Sequence, residues 1–377
     1  MEKQVSTETD IIVSGLEVIS PFGLGMAALS QGILNRVRTQ TQQHRMKSYC
    51  DFPLCPIPQS DDLKVSNPQC VDSMNLAMLR LLIERVLSKT AVCDRYPSER
   101  IGIILGSTTF GTSALLSSIE QGILPSGDDS TYAISKPLQQ VSDEYQLNGP
   151  RMIVSNACSS SASAIGLGEQ LIASGMIDSC LVGGIDALSP VTVLGFRSLQ
   201  ILSSSLCRPF EEERDGINIG EGGGLLLLEK SHNAQTRLGR IKGYASNCDG
   251  YHMTQPDPKG TNIEKCMIKA LEQAGIDPEQ IGYINAHGTG TPANDAVEEA
   301  MIRRIFGNAT FFESTKRFTG HILAGAGVIE TAICLHFLEN RSMWAEKLNR
   351  PDFLKSEYAL SNSFGFGGNN TSIVVGL

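Results

Sequence analysis

Met152-Ile153-Val154-Ser155-Asn156-Ala157-Cys158, with the Ser-, Ala- and Gly-rich run from 159 to 174 behind it, decides how this chain folds. The apolar residues 152–154 read as a short buried strand, the next ones as a tight turn, and the small-residue run as a helix. One thiol then sits at a helix N-terminus, where unpaired backbone N–H groups and the helix dipole favour a thiolate. A thiolate so placed is a nucleophile in need of a partner base. His287 and His321, each inside its own Gly-rich stretch, are the candidates.

Outward from Cys158 the same alternation continues. Apolar runs at 11–15, 101–105, 180–185, 225–228, 281–285 and 372–375 read as strands. Apolar residues at helical spacing mark helices over 73–87, 263–274, 294–306 and 327–338. In the helix over 294–306 the apolar stripe is Val297, Met301 and Ile305. The run Leu225 to Leu228 has no polar alternation, as expected of a strand covered on both faces. Strands alternating with helices predict an α/β fold. With no linker and no evident repeat, the chain divides into an N-terminal half, 1–235, and a C-terminal half, 236–377, packed as one unit. The Pro-rich stretch 36–72 reads as loop that covers the core or meets a partner.

The chain has 377 residues, 41% of them hydrophobic and 19% charged, which is a globular composition. The formal charge of −9, from 31 basic and 40 acidic residues, argues against a nucleic-acid binder and against attraction to anionic membranes. No signal peptide and no apolar run long enough to cross a membrane are visible. Ten cysteines without C-x-x-C spacing read as reduced thiols in a cytoplasmic protein, not as a disulfide framework or a metal site.

Four stretches carry chemistry. Cys158 is the first. The second, Asn285-Ala286-His287-Gly288-Thr289-Gly290-Thr291-Pro292, brings a histidine and two hydroxyls to a strand end. The third runs from Ser314 to Gly327 and holds Lys316 and His321, with Glu330 beyond it; the two charged residues are close enough to surround His321. The fourth, Asn362-Ser363-Phe364-Gly365-Phe366-Gly367-Gly368-Asn369-Asn370, has the glycines of a turn that presents backbone N–H groups, as an oxyanion hole requires. Each has an ordinary structural reading as well: a packed Cys, a core His, a solvated charge pair, a hairpin turn.

In this order the four stretches resemble the β-ketoacyl-acyl-carrier-protein synthases, the condensing enzymes of fatty-acid and polyketide synthesis. The likeness runs from about residue 101 to 375. It implies a thiolase-like fold, a five-layered α-β-α-β-α sandwich of two similar halves. It implies Cys158 as the acylated nucleophile, His287 and His321 as the decarboxylation histidines, and Lys316 and Glu330 as their support. It also implies Thr289, Thr291 and Phe364 as substrate-binding residues. Phe366 becomes the gate, its N–H forming the oxyanion hole with that of Cys158. The implied reaction is decarboxylative condensation of malonyl-acyl-carrier-protein with an acyl group held on Cys158. It needs no metal or redox cofactor, because the substrates ride on the phosphopantetheine of an acyl carrier protein. The implied assembly is a homodimer, or a heterodimer with a homologous ketosynthase or chain-length factor.

Two places depart from the family. The loop after Leu202 is short, Ser203 to Cys207, and Ser66-Asn67-Pro68-Gln69-Cys70 lacks the family's basic residues. Carrier docking is therefore expected to use Arg36, Arg38, Arg45 and Lys47, a different carrier, or a partner subunit that shares the docking surface, which favours a specialised polyketide or polyene pathway over housekeeping fatty-acid elongation. A silent chain-length factor would lack Cys158. A thiolase would need a second Cys near the C-terminus, and the last one here is Cys334.

Overall fold

The computed structural model describes residues 10–67, 70–113, 115–116, 121–122 and 133–377. The first part of the chain forms β1 (Ile11–Ser20), β2 (Gly23–Leu24), α1 (Met26–Leu34), α2 (Val71–Thr90), β3 (Ile101–Gly106), α3 (Lys136–Glu144), β4 (Arg151–Val154), α4 (Ser160–Ala173), β5 (Ser179–Asp186), α5 (Pro190–Ser198) and β6 (Gly222–Lys230). The rest forms β7 (Gly239–Cys248), α6 (Thr261–Ala274), β8 (Ile281–Asn285), α7 (Pro292–Phe306), β9 (Phe312–Glu313), α8 (Ala326–Glu339), α9 (Arg341–Leu348), β10 (Tyr358–Gly365) and β11 (Asn369–Gly376).

The strands follow one hydrogen-bonded path, β4-β3-β5-β6-β1 and then β7-β11-β10-β8-β9. Among the described residues, the two runs meet where Ile12 and Val13 pair with Arg240 and Gly239. They are the same arrangement made twice. In the first, β3 lies parallel to β4 and β5, and β5, β6 and β1 are antiparallel. In the second, β8 lies parallel to β9 and β10, and β10, β11 and β7 are antiparallel. The topology repeats where the sequence shows no repeat.

Helices set the layers. α4 and α8 pack on each other, and each touches strands of both runs; α2 lies on β1, β5 and β6, while α6 lies on β7 and β11 with α7 beside it. The order is therefore helix, sheet, helix, sheet, helix. α8 is buried nearly all round, which its apolar circumference requires. β5 and β6 have continuous apolar runs because helices cover both faces.

Glycine lets the middle layer close. A Cβ at Gly106 would lie 2.5 Å from the Ser161 nitrogen, so the start of α4 rests directly on the end of β3. The predicted helix and strand positions agree with those seen to within a few residues, with two differences. β4 is not a buried strand: it ends the sheet path, its residues are half-buried or exposed, and Met152 is 36% exposed. In α7 the buried side holds Asn294, Asp295, Glu298, Met301, Ile302 and Phe306, so Val297 and Ile305 are only half-buried. Asp295 and Glu298 face inward because they bind the loop that follows β8, and Asn294 donates to Asp295.

Candidate active site

Cys158 lies in the 3₁₀ turn Ala157–Ser159 that runs straight into α4. Ala157 before it has φ 57°, a left-handed conformation that costs a residue with a Cβ roughly 1–3 kcal/mol. The bend aims the thiol into a cavity of about 260 Å³ instead of along the helix. His287 reaches the same cavity from the end of β8, His321 from the loop before α8, Phe364 from the end of β10, and Phe366 from the turn between β10 and β11. Exposed His252 and Gln255 mark where it opens to solvent.

One ligand atom each of Cys158, His287 and His321 lies within 4.8 Å of the other two. The imidazoles meet edge to face with ring centroids 5.4 Å apart. All three side chains are buried. Phe364 lies 6.2 Å from the His287 ring, and Phe366 stacks on Phe196 at 5.5 Å. Thr289 and Thr291 line the cavity and share a 2.8 Å hydrogen bond between their hydroxyls.

Hydrogen bonding fixes the tautomer of His321. The Leu323 N–H donates to Nδ1 at 3.1 Å, so Nδ1 is an acceptor. Burial, and after it the Lys316 charge, hold the imidazole well below its ordinary pKa, so the ring is neutral. Its one proton is therefore on Nε2, which lies 2.8 Å from Cys158 Sγ and donates to it. This corrects the expectation of a histidine base: Nε2 already carries a proton. His287 is likewise held well below its ordinary range by burial, then by Lys316 and His321.

The thiolate expected from position alone is not the resting state either. Burial pushes the Cys158 thiol up to about 11, and the Lys316 charge and the Phe366 N–H pull only partly against it. Alkylation of Cys158, followed by peptide mass mapping, should accelerate almost tenfold per pH unit from 7 to 9.5 with no plateau. A plateau near pH 7 would show a preformed thiolate.

Lys316 and Glu330 are far from being a solvated pair. They form an ion pair with 1% and 3% of their side chains exposed. Three buried carboxylates went unforeseen. Glu298 accepts the N–H groups of His287 (2.7 Å) and Gly288 (2.8 Å), and burial pushes it up to about 7. Asp295 accepts the Gly290 and Phe210 N–H groups, and Asp186 holds the segment after β3. In sequence, Glu298 and Asp295 look like the polar face of a helix. The one available signal was Asp186, the lone charge closing an otherwise apolar strand.

The basic residues expected to dock a carrier are mostly engaged within the chain. Arg36 pairs with Glu313, Arg45 with buried Glu221, and Arg38 donates to the carbonyls of Cys207 and Arg317. Arg36 and Lys47 are exposed, and of the two only Lys47 has an exposed partner, Asp51.

Family models for the β-ketoacyl synthase N-terminal and C-terminal domains match residues 58–234 and 238–349. The chain is 34% identical to the 3-oxoacyl-[acyl-carrier-protein] synthase 2 of Coxiella burnetii, over 97% of this chain and 98% of that one. The chain belongs to the β-ketoacyl synthase family. Two solved structures are similar to this synthase throughout. A ketosynthase from Xenorhabdus doucetiae, in complex with its chain length factor, superposes with TM-score 0.79 at 29% identity, covering 100% of both chains. A β-ketoacyl synthase from Burkholderia phymatum gives TM-score 0.84 at 25% identity, covering 98% of this chain and 99% of that one. The five layers are thus the thiolase-like fold, and the synthase is a condensing acyltransferase. No helix among its described residues is long and apolar enough to cross a membrane.

Proposed function

We propose that Cys158, His287 and His321 carry out chain elongation on acyl-carrier-protein thioesters. The observation that carries this reading is the cluster itself: one thiol and two neutral imidazoles, buried and mutually within 4.8 Å at a single cavity. Cys158 sulfur attacks the acyl thioester, its proton goes to the departing pantetheine thiol, and the acyl group stays on Cys158. The backbone N–H groups of Cys158 and Phe366 face the oxyanion; loss of one such donor costs roughly 3–4 kcal/mol.

Malonyl thioester then loses CO2, and the electron pair of the broken C–C bond moves onto the thioester oxygen. The Nε2–H of His321 and the His287 ring meet that charge. Lys316, close enough to depress both imidazoles, makes their N–H groups stronger donors. The enolate carbon attacks the acyl carbonyl and expels Cys158, leaving a 3-oxoacyl product two carbons longer. Thr289, Thr291 and Phe364 would hold the pantetheine arm, with no metal or redox cofactor taking part.

Two observations support a specialised polyketide or polyene pathway in the cytoplasm over housekeeping fatty-acid elongation. Three of the four basic residues expected to dock an acidic carrier, Arg36, Arg38 and Arg45, already have partners within the chain. The Xenorhabdus ketosynthase, similar over the whole chain, works with a chain length factor. The half-exposed edge of β4 suits a homologous second subunit, which would restore the burial its apolar residues call for. Intact-mass measurement of Cys158 acylation by a panel of acyl-carrier-protein thioesters tests this. Acylation is expected to strengthen on co-expression with a homologous subunit. A lone chain that elongates ordinary fatty acyl groups at full rate would refute the specialised pathway.

A further inference from the structure

Asp186 closes β5 and is fully buried. Six donors converge on its carboxylate: Ser107 Oγ (2.9 Å), Thr108 N (2.8 Å) and Oγ1 (2.6 Å), Thr109 N (3.0 Å) and Oγ1 (2.8 Å), and Ala324 N (2.9 Å). Five come from the segment just after β3. The sixth comes from the other half of the molecule, from the loop that holds His321.

That sixth bond sits at a telling place. Ala324 follows Leu323, whose N–H fixes the His321 tautomer at 3.1 Å. Leu323 has φ 48°, a left-handed conformation that a leucine does not keep unaided. Relaxing it would rotate the adjoining peptide planes and carry the Leu323 N–H off Nδ1. The Ala324 N–H, one residue on, is anchored to Asp186 Oδ2, and an ionised acceptor makes that bond stronger than a neutral one would. The carboxylate also lies near the start of α8, where the helix dipole favours negative charge. Farther along, in α8, the Val328 N–H donates to Ser161 Oγ on the nucleophile helix at 3.0 Å, so the helix that follows this loop is tied to the Cys158 side of the site.

We propose that Asp186 is the positioning residue of His321. Through the Ala324 N–H it holds the left-handed turn at Leu323, keeps Nδ1 an acceptor, and so keeps the proton on Nε2, facing Cys158 and the incoming substrate. The inference rests on the reading of His321 as a donor to the enolate. It predicts a split between the half-reactions: acylation of Cys158 needs no Nε2 donor, whereas malonyl decarboxylation does.

Asp186→Asn is the test variant, with His321→Ala and Thr108→Val beside it. In Asp186→Asn, release of CO2 from malonyl-acyl-carrier-protein should fall at least about tenfold, while acylation of Cys158 by intact mass stays within about threefold of the native rate. The chain has six histidines, so long-range proton–nitrogen correlation of histidine-labelled protein can follow the His321 tautomer. The Nε2–H signature should be lost or mixed in Asp186→Asn. Thr108→Val removes another donor to the same Oδ2 and should leave both half-reactions near native. Unchanged decarboxylation, or both half-reactions falling together with the melting temperature, would overturn the proposal. So would Thr108→Val reproducing the full defect. If Asp186→Asn does not fold, Asp186→Glu, which keeps the charge but displaces it by one methylene, is judged by the same split. A His321→Ala protein that decarboxylates at the native rate would instead refute the reading of His321, and the tautomer measurement would still decide the role of Asp186.

Discussion

Cys158→Ala should lose acyl transfer and condensation by about 10⁴- to 10⁶-fold, the scale seen when a covalent nucleophile is removed. Nearby hydroxyls offer no bypass. Ser159 Oγ donates to the Asn156 carbonyl and Ser160 Oγ to that of Ala157, while Ser161 Oγ accepts the Val328 N–H. All three serines are fully buried. The fold should survive, because losing one sulfur from the cavity wall removes little packing. Decarboxylation should persist, because both imidazoles stay in place. Intact mass after exposure to acyl-carrier-protein thioesters, alongside assay of CO2 release from malonyl thioester, separates the two. An acylated Cys158→Ala protein, or one that still makes 3-oxoacyl product, would remove Cys158 from the mechanism.

Much of this site was legible in the sequence because Cys158 and His287 each follow an apolar run, and strand ends in an α/β fold are where a site assembles. His321 has no such run before it and was marked instead by the small residues that follow it into a helix. The supporting groups were harder to see because burial is a tertiary property. Lys316 and Glu330 are 14 residues apart and read equally well as solvated charges; only the closure of α8 between the sheets buries them. Glu298 looks like the outward face of α7, yet that face turns inward to hold two backbone N–H groups. The strand before Cys158 misled in the opposite sense. Its apolar residues predicted burial, but a strand at the end of the sheet path is covered only by what docks on it. The resting thiol is a third case. A helix N-terminus favours a thiolate, and the burial that opposes it cannot be read from residue order.

Lys316→Met should destabilise the protein by about 3–5 kcal/mol, because it leaves Glu330 charged and buried with no cation beside it. Glu330→Gln should cost a similar amount by stranding the ammonium. The double variant should recover most of that loss, since a buried ion pair spends much of its attraction on its own desolvation. Urea unfolding of the two singles and the double measures the coupling. Stability and chemistry should then part company. The Lys316 charge helps hold His287 and His321 well below the ordinary histidine range and also draws the Cys158 thiol down from where burial alone would put it. In the double variant both effects disappear. The histidines should titrate closer to their ordinary 6.5, visible as a higher pH midpoint in their proton spectra. Cys158 should alkylate more slowly at pH 8, by less than in Lys316→Met because the opposing Glu330 charge goes as well, and condensation should stay slow in a protein that folds well. If the double variant regains activity along with stability, the ion pair serves the fold alone and the polarisation of the two imidazoles is not part of catalysis.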